Sequence, residues 1–359
     1  MSRNHEKTSV TFLDNVAQRL GYPSFEEMRR HHLNPLHLYA RLIKLGFDKK
    51  EAREIASTYE KLYYKRMIAK DAEKKANFLV RQIKPIHIVS LIYVGIMILI
   101  TLLFRQNIPG WSHYLAIYLA YAAFVAILSQ VVRATYHPLL SFVAVMYPWF
   151  TIPNFYELLR HYIHAIFPFL FDPLIHQIDL VIFGVHPTVY LQRFISPLLT
   201  EIMAFGYFSY YLIFALPPFI LYFFKRKGTA PLIFSMTLAY YFCFIIFVLF
   251  PCAGPRFTLA AQYTVPLKGY FLPAIQAKLM AKFALKGAAF PSSHVAMVVA
   301  STLVVKRYMR WLYYLMLPLA IMVALGAVYG RYHYVTDVIA GAGVGVLSAW
   351  ITYKIYKES

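Results

Sequence analysis

The sequence predicts an all-α membrane protein, a polytopic helix bundle with a small N-terminal helical domain. Of its 359 residues, 60% are hydrophobic and 14% are charged, whereas a soluble domain carries about 25% charged residues. Apolar runs of about twenty residues, the length that crosses a bilayer, recur from residue 86 onwards. This composition excludes a disordered chain and argues strongly against a water-soluble globule.

The first 85 residues differ from the rest of the chain. They hold 18 of the 36 Lys and Arg residues and 10 of the 16 Asp and Glu residues, so their net charge is +8 (18 − 10). Pro23-Ser24 and Asp48 are typical helix starts, and the second start predicts a helix to about residue 75. We therefore expect a small, basic, helical cytoplasmic domain over 1–85. The interleaved acids and the adjacent membrane argue against nucleic-acid binding.

The remainder of the chain is predicted to cross the membrane about eight times. Residues 86–170 would hold additional spans and an interfacial segment, and residues 171–359 would form the membrane core that carries the site. The predicted spans are 86–104, 113–132, 138–153, 198–224, 231–250, 291–305, 311–329 and 334–353.

Basic residues between the spans predict their orientation, because Lys and Arg favour the cytoplasmic side. The basic head, Lys225–Lys227, Lys306 with Arg307, and Lys354 would all lie inside. Eight spans with both termini cytoplasmic satisfy this pattern. The loops 251–290 and 329–333 then face the outer (periplasmic, extracellular or lumenal) side. Oligomeric state is not predicted.

Three short segments outside the spans are predicted to meet at one depth. The first ends in Gly254-Pro255-Arg256, the second contains Pro291-Ser292-Ser293-His294, and the third runs over 329–337. The second segment opens a helix whose free N–H groups and dipole favour a phosphate group. Ser292 and Ser293 would add hydroxyls, and His294 would transfer a proton. An ordinary helix cap beside an interfacial histidine is the alternative.

The third segment carries His333 and Asp337, which are four residues apart and would share a helix face. A carboxylate that accepts the imidazole N–H leaves the other ring nitrogen free as a nucleophile. A purely structural pair is the alternative. Metal ligation is disfavoured because it requires more carboxylate or imidazole ligands than this side offers, so neither a metal nor another cofactor is expected.

Fixed positive charge is expected beside these histidines. Arg256 would bind phosphate oxygens through its planar guanidinium, and Arg331 would add a second contact. Lys286 would attract anionic headgroups, although a solvated basic loop is the favoured explanation.

Together the three segments resemble the signature motifs of the type 2 phosphatidic acid phosphatase superfamily, over about residues 170–353. Phe290-Pro291-Ser292-Ser293-His294 and His333-x-x-x-Asp337 carry most of this resemblance. It implies a six-helix core and a metal-free phosphohistidine mechanism. His333 would attack phosphorus, Asp337 would support it and His294 would protonate the leaving group. Arg256 with the Ser292 and Ser293 region would hold the phosphoryl oxygens.

Two positions depart from the family pattern. Leu249 and Ala327 stand where the family usually has a Lys and an Arg that bind phosphate. This reduced form is similar to the branch that contains inositol phosphorylceramide synthase. A phosphodiester carries less charge than a monoester and needs fewer cations, so either substrate is expected.

The predicted function is therefore a membrane lipid phosphatase or phosphotransferase. Its donor would be a lipid phosphate or phosphodiester. Its acceptor would be water, a polyol or a lipid hydroxyl. A proton-coupled lipid or solute transporter and a non-catalytic lipid-phosphate binding protein are the alternatives. Transporters often show matching halves, which the sequence lacks, and the intact histidines disfavour an inert protein.

Overall fold

A computed structural model describes most of the chain and shows an all-helical fold. Of the described residues, 81% are helical and none lies in a strand, which confirms the predicted fold class. The helix start predicted at Pro23-Ser24 lies outside the described residues. The described ranges are 16–18, 20–22, 34–134, 137–224 and 226–357.

The chain divides into two compact units, Met1–Asn77 and Phe78–Ser359. In the first unit, helix α1 (Pro35–Lys44) and helix α2 (Lys49–Tyr59) pack around a small apolar core. Asp48 caps α2, because its Oδ1 accepts the backbone N–H of Lys50 at 2.6 Å. This confirms the predicted cap.

The sequence predicted one helix from Lys49 to about residue 75, but α2 ends at Tyr59 and, within the described range 34–134, no helix ends near residue 75. A π-helical turn over Glu60–Tyr64 leads directly into helix α3 (Lys65–Leu103). Pro85 lies inside α3 without ending it. Helix α3 therefore runs past residue 75, the position where the sequence predicted a helix end.

The second unit contains α3 from residue 78 onwards and the remaining helices. These are α4 (Trp111–Ala134), α5 (Pro138–Leu158), α6 (Asp172–Phe183), α7 (Pro187–Tyr190), α8 (Pro197–Phe224), α9 (Arg226–Leu249), α10 (Pro255–Thr258), α11 (Leu272–Phe283), α12 (Ser293–Tyr308), α13 (Arg310–Tyr329) and α14 (Val335–Ile355).

Six helices among the described residues are long and apolar enough to cross a membrane, as expected of a multi-pass membrane protein. They lie in α3, α4, α8, α9, α13 and α14. Helix α6 and the following 187–194 pass the same test only as a pair, and they are bent by 67°. This bent pair falls within residues 154–196, an outer stretch whose proline breaks and amphipathic patches predict an interfacial position.

Two predicted spans do not meet this test. Residues 138–153 fall in α5, whose Pro, Tyr and Asn residues reduce its hydropathy. Residues 291–305 fall in α12, which has 16 residues. Helix α12 is buried along most of its length and packs against α9, α13 and α14. A helix surrounded by protein does not need the apolar surface that lipid requires.

Small residues allow α14 to approach α12 closely. A side chain at Gly341 would overlap the backbone of Ser292, and one at Gly345 would meet the carbonyl of Ala296 at 2.6 Å. Close backbone approach at glycine is common between membrane helices. This packing holds the start of α12 against the start of α14, where the predicted site residues lie.

Candidate active site

The structure brings the three predicted segments together through backbone hydrogen bonds. The N–H of Cys252 donates to the carbonyl of Gly287 at 3.1 Å, and the N–H of Ala289 donates back to Cys252 at 2.8 Å. The N–H of Ser292 donates to the carbonyl of Asp337 at 2.9 Å. The first and second segments are thus joined to each other, and the second is joined to the third.

His333 is held by a backbone group that the sequence did not reveal. Its Nδ1 lies 2.9 Å from the carbonyl oxygen of Ala289 and 3.4 Å from Oδ2 of Asp337. A carbonyl oxygen can only accept, so Nδ1 carries the proton in this contact. The lone pair of the neutral ring is therefore on Nε2, which is the form needed for nucleophilic attack.

His333 and Asp337 do not share a helix face, which corrects the expectation from their spacing. His333 precedes α14, which begins at Val335. Asp337 lies in the first turn, and its Oδ2 accepts the N–H of Tyr334 at 2.9 Å. The carboxylate therefore points back past the start of the helix and reaches His333 from there. Both side chains are almost fully buried.

Asp172 positions the first segment. Its two oxygens accept the N–H groups of Ala253 at 2.7 Å and of Gly254 at 2.8 Å. The hydroxyl of Tyr334, next to His333, donates to the same carboxylate at 3.1 Å. Asp172 is 1% exposed, so these bonds offset the cost of burying its charge.

Asp179 performs the same task for α14. Its Oδ1 accepts the N–H of Thr336 at 2.9 Å and the hydroxyl of Thr336 at 2.6 Å, while its Oδ2 accepts the N–H of Val335 at 3.0 Å. These N–H groups have no partner within the helix. The scarcity of acidic residues in the membrane region was the sequence signal for Asp172 and Asp179, but the sequence did not indicate what they bind.

His294 lies across the site from His333. The centroids of the two imidazole rings are 6.1 Å apart, and the rings of Tyr207 and Tyr210 lie 5.2 and 4.2 Å from that of His294. Its Nδ1 is buried and has no hydrogen-bond partner within the described part of the chain. The imidazole is thus held by aromatic packing, and it lines the same cavity as His333.

The two predicted serines occupy different positions. Ser292 is fully buried and caps α12, because its Oγ accepts the N–H of Val295 at 3.4 Å. Ser293 lines the cavity that contains the two histidines, whereas Ser292 does not. The structure therefore places only Ser293 where its atoms can reach a ligand in that cavity.

Arg256 lies at the edge of the same cavity. Its guanidinium carbon is 4.7 Å from the ring centroid of Phe257 and 5.8 Å from that of Tyr332. No carboxylate among the described residues pairs with it. Burial raises the pKa of Tyr332 to about 12, so its phenol stays neutral beside the arginine. The cation is therefore available for an anionic ligand.

The cavity has a volume of about 490 Å³ and is lined mostly by apolar and aromatic side chains. Arg256, Ser293, His294 and His333 form its polar part. Glu157, which is half exposed and pairs with Arg160 at 2.9 Å, also lines it. An apolar chamber with a few converging polar groups is typical of a ligand site.

Two predicted cations are not brought into this cavity. Nη2 of Arg331 donates to the carbonyl of Val265 at 2.6 Å, and its guanidinium carbon lies 4.0 Å from the ring centroid of Tyr263. Arg331 lines a second cavity. Lys286 is exposed, with its Nζ 5.8 Å from the ring centroid of Phe257.

The two positions that depart from the family pattern are uncharged and lie next to the predicted segments. Leu249 ends α9 and is 46% exposed, whereas Ala327 is fully buried in α13. The carbonyl of Ala327 accepts the N–H groups of Tyr332 and His333, at 3.0 and 3.2 Å. Over the described residues, no group of three or more His, Cys, Asp and Glu side chains is arranged to hold a metal ion.

Comparison with known proteins gives one match. The family model of the PAP2 superfamily matches residues 228–359. This range contains all three segments and helices α12 to α14. No curated protein and no solved structure matches the chain.

Proposed function

We propose that the chain is a membrane enzyme that transfers a phosphoryl or phospho-headgroup from a lipid to water or to a hydroxyl acceptor. The contact of His333 Nδ1 with the carbonyl of Ala289 is the observation that carries this proposal, because it leaves a lone pair on Nε2. The PAP2 superfamily match over residues 228–359 supports phosphatase or phosphotransferase chemistry on lipid phosphates.

In the first step, Nε2 of His333 attacks phosphorus in line with the leaving oxygen. A phosphorus–nitrogen bond forms and the phosphorus–oxygen bond to the leaving group breaks. His294, as imidazolium, donates a proton to the departing oxygen. Arg256 and the start of α12 stabilise charge on the remaining phosphoryl oxygens. The imidazolium formed at His333 is stabilised by the Asp337 carboxylate.

In the second step, the acceptor hydroxyl attacks the phosphohistidine. Neutral His294 takes the proton of that hydroxyl, the phosphorus–nitrogen bond breaks, and its electron pair returns to Nε2 of His333. Water as acceptor gives hydrolysis, and a polyol or lipid hydroxyl gives transfer. The same residues serve both outcomes.

The character of the cavity supports a lipid substrate. Its apolar and aromatic lining suits acyl or other hydrocarbon chains. Arg256 is the cation among the described residues that line it. With a neutral Leu249 and Ala327, one fixed cation suits a singly charged phosphodiester better than a doubly charged monoester. Similarity to the inositol phosphorylceramide synthase branch stays part of this proposal.

The experiment uses the purified full-length chain and a panel of lipid phosphates and phosphodiesters, with and without polyol acceptors. Mass spectrometry of the products distinguishes phosphatase from transferase activity. We expect the wild type to turn over at least one lipid and His333→Ala to lose that activity by a factor of about 10³ or more. Equal turnover by the two proteins would exclude this mechanism.

Glu157→Gln provides a matched control. Glu157 lines the cavity but contacts Arg160 at its exposed edge rather than the histidines. Its substitution changes a side chain that lines the same cavity without altering the proposed chemistry, so turnover should change less than about tenfold. A trapped phosphohistidine, seen as acid-labile label on wild type and absent from His333→Ala, would separate the covalent route from direct attack by water.

A further inference from the structure

A second cavity carries polar groups that the proposed reaction does not use. It has a volume of about 480 Å³. Arg256, Tyr332 and helix α11 line both this cavity and the one that contains the histidines. The two chambers are therefore neighbours that share one guanidinium.

Two buried donors in the second cavity have no partner. Gln276, on α11, is 5% exposed, and its Nε2 makes no hydrogen bond to any described residue. Arg331 is 8% exposed, and its Nε is likewise unpaired within the described ranges. Leaving a buried donor unsatisfied costs about 1–3 kcal/mol. Because both residues line the cavity, a ligand with acceptor atoms bound there is a candidate partner for these donors.

The charge of the cavity indicates the nature of that ligand. Arg256 and Arg331 both line it, and no carboxylate among the described residues does. Tyr329 and Thr200, whose hydroxyls are 2.8 Å apart, add uncharged hydrogen-bonding groups. Two guanidinium groups together with an amide favour an anion with several oxygens, and a phosphate group has this chemistry.

Arg331 is already fixed in the required geometry. Its backbone adopts the left-handed region, with φ of 62°, and the guanidinium carbon lies 4.0 Å from the ring centroid of Tyr263. The hydrogen bond to the carbonyl of Val265 uses Nη2 and does not involve Nε. A fixed guanidinium loses little conformational entropy when it binds.

We propose that this second cavity is a separate binding site for a phosphate ester. A soluble polyol phosphate and the headgroup of a lipid phosphate share the required chemistry. The site goes beyond the proposed function, because no bond-making step is assigned to it. Its test therefore measures binding alone and does not depend on turnover.

Cysteine protection can distinguish the two cavities. Ala277 and Ala284 belong to the same segment, and Ala277 lines the second cavity whereas Ala284 lines the first. Cysteine is introduced at each position in turn, and the labelling rate by a small thiol reagent is measured on the full chain. The probes are glycerol 3-phosphate, dihexanoyl phosphatidic acid and, as the uncharged control, glycerol. Native Cys243 and Cys252 are buried and give little background.

We expect glycerol 3-phosphate or dihexanoyl phosphatidic acid to slow labelling of the Ala277→Cys protein at least tenfold, and glycerol to have no effect. The probe that protects identifies the soluble or the lipid source. Gln276→Leu should abolish this protection, whereas Gln177→Leu, the same change at an exposed glutamine, should preserve it. His333→Asn should also preserve it. Unchanged labelling of the Ala284→Cys protein without a probe shows that Gln276→Leu leaves the fold intact.

Three results would overturn the proposal. They are the absence of protection by both phosphate esters, protection that survives Gln276→Leu, and protection that disappears with His333→Asn. The last result would assign the bound probe to the catalytic cavity. Loss of lipid turnover in the wild type would contradict the proposed function, while persistent protection at position 277 would still support the second site.

Discussion

At the scale of single residues, the carbonyl of Ala289 and the carboxylate of Asp337 divide the support of His333 between them. The carbonyl is the nearer partner, at 2.9 Å against 3.4 Å, and it determines which ring nitrogen carries the proton. The carboxylate supplies negative charge to the imidazolium that forms during attack. In a triad where the carboxylate alone holds the histidine, removing its charge also disturbs the tautomer. Here the two roles are separate.

Asp337→Asn should therefore lower kcat by about 10²-fold, a smaller loss than that of His333→Ala. The amide oxygen can still accept the N–H of Tyr334, so the start of α14 should remain intact. Steady-state kinetics give kcat and KM, and a thermal melt checks the fold. Activity equal to that of the wild type, with the fold unchanged, would show that the carboxylate does not stabilise the imidazolium.

Gly254 allows the first segment to pass closely beside the third. Its φ is +94°, and a Cβ there would lie 2.8 Å from the carbonyl oxygen of Tyr332. Gly254→Ala should lower the free energy of unfolding by about 2 kcal/mol or more, because backbone strain and a clash add.

Gly343→Ala is the matched control for this substitution. Nothing lies within 4 Å of a Cβ at Gly343, which is inside α14. Alanine there should be neutral or stabilise by up to about 1 kcal/mol. Denaturant unfolding in detergent measures both variants. A stability loss of the same size at both positions would contradict the close approach at Gly254.

Residues with reactive side chains could be found from the sequence, whereas their backbone partners could not. His294, His333, Asp337 and Arg256 were identified from residue type, spacing and expected topology, and the structure brings them to one region. The Ala289 carbonyl has no sequence signature, because every residue has a carbonyl. Arg331 was grouped with the same phosphate only because it is close to His333 in sequence, yet its side chain turns to the second cavity.

At the scale of elements, three carboxylates, of which Asp172 and Asp179 are buried, act as anchors for loops and helix starts around the site. Asp172 holds the first segment, and Asp179 holds the start of α14. Glu201 accepts the N–H of Tyr270 at 2.6 Å, of Phe271 at 3.0 Å and of Leu272 at 2.8 Å, at the start of α11. These partners are 69 to 157 residues away, which explains why local sequence pattern could not reveal them.

Asp179→Ala should therefore destabilise the protein and disturb the site together. Its removal leaves the N–H groups of Val335 and Thr336 without their acceptor and costs about 1–3 kcal/mol. His333 is two residues before Val335, so kcat should fall as well. Asp179→Asn keeps one acceptor oxygen and should lose less of both. A thermal melt combined with kinetics tests this order, and an unchanged melting point for Asp179→Ala would contradict the capping role.

The spans show where apolar length predicts a helix and where it does not. Apolar runs correctly located the helices that are both long and hydrophobic, such as α4 and α9. Helix α12 is shorter and carries buried Ser301 and Thr302, because protein rather than lipid surrounds it. The bent pair of α6 and 187–194 was not predicted as one unit, although its break contains Gly184, with φ of 69°, and Pro187 at the start of α7.

At the scale of the whole molecule, the positive charge lies partly in the N-terminal head and partly at one set of helix ends. The head contributes +8, and the basic residues at 226–227, 306–310 and 354–357 lie near the start of α9 and the ends of α12 and α14. The site lies near the opposite ends of α12 and α14. For the helix ends that carry the basic residues to face the cytoplasm, α5 and α12 must cross the membrane together with the six candidate spans. Helix α12 is about 24 Å long at 1.5 Å per residue, close to the bilayer core thickness of about 30 Å.

This arrangement predicts that the site faces the outer side and both termini face the cytoplasm. Ala261→Cys, in the exposed loop after α10, should react with a membrane-impermeant thiol reagent on intact cells. Thr58→Cys, exposed on α2, should react only after the cells are permeabilised. Both native cysteines are fully buried, so the unmodified chain provides the blank. Labelling at position 58 in intact cells, with none at position 261, would reverse the orientation. Labelling of both positions in intact cells would place them on the same side of the membrane. An even number of spans would then separate the head from the site, which would contradict the arrangement.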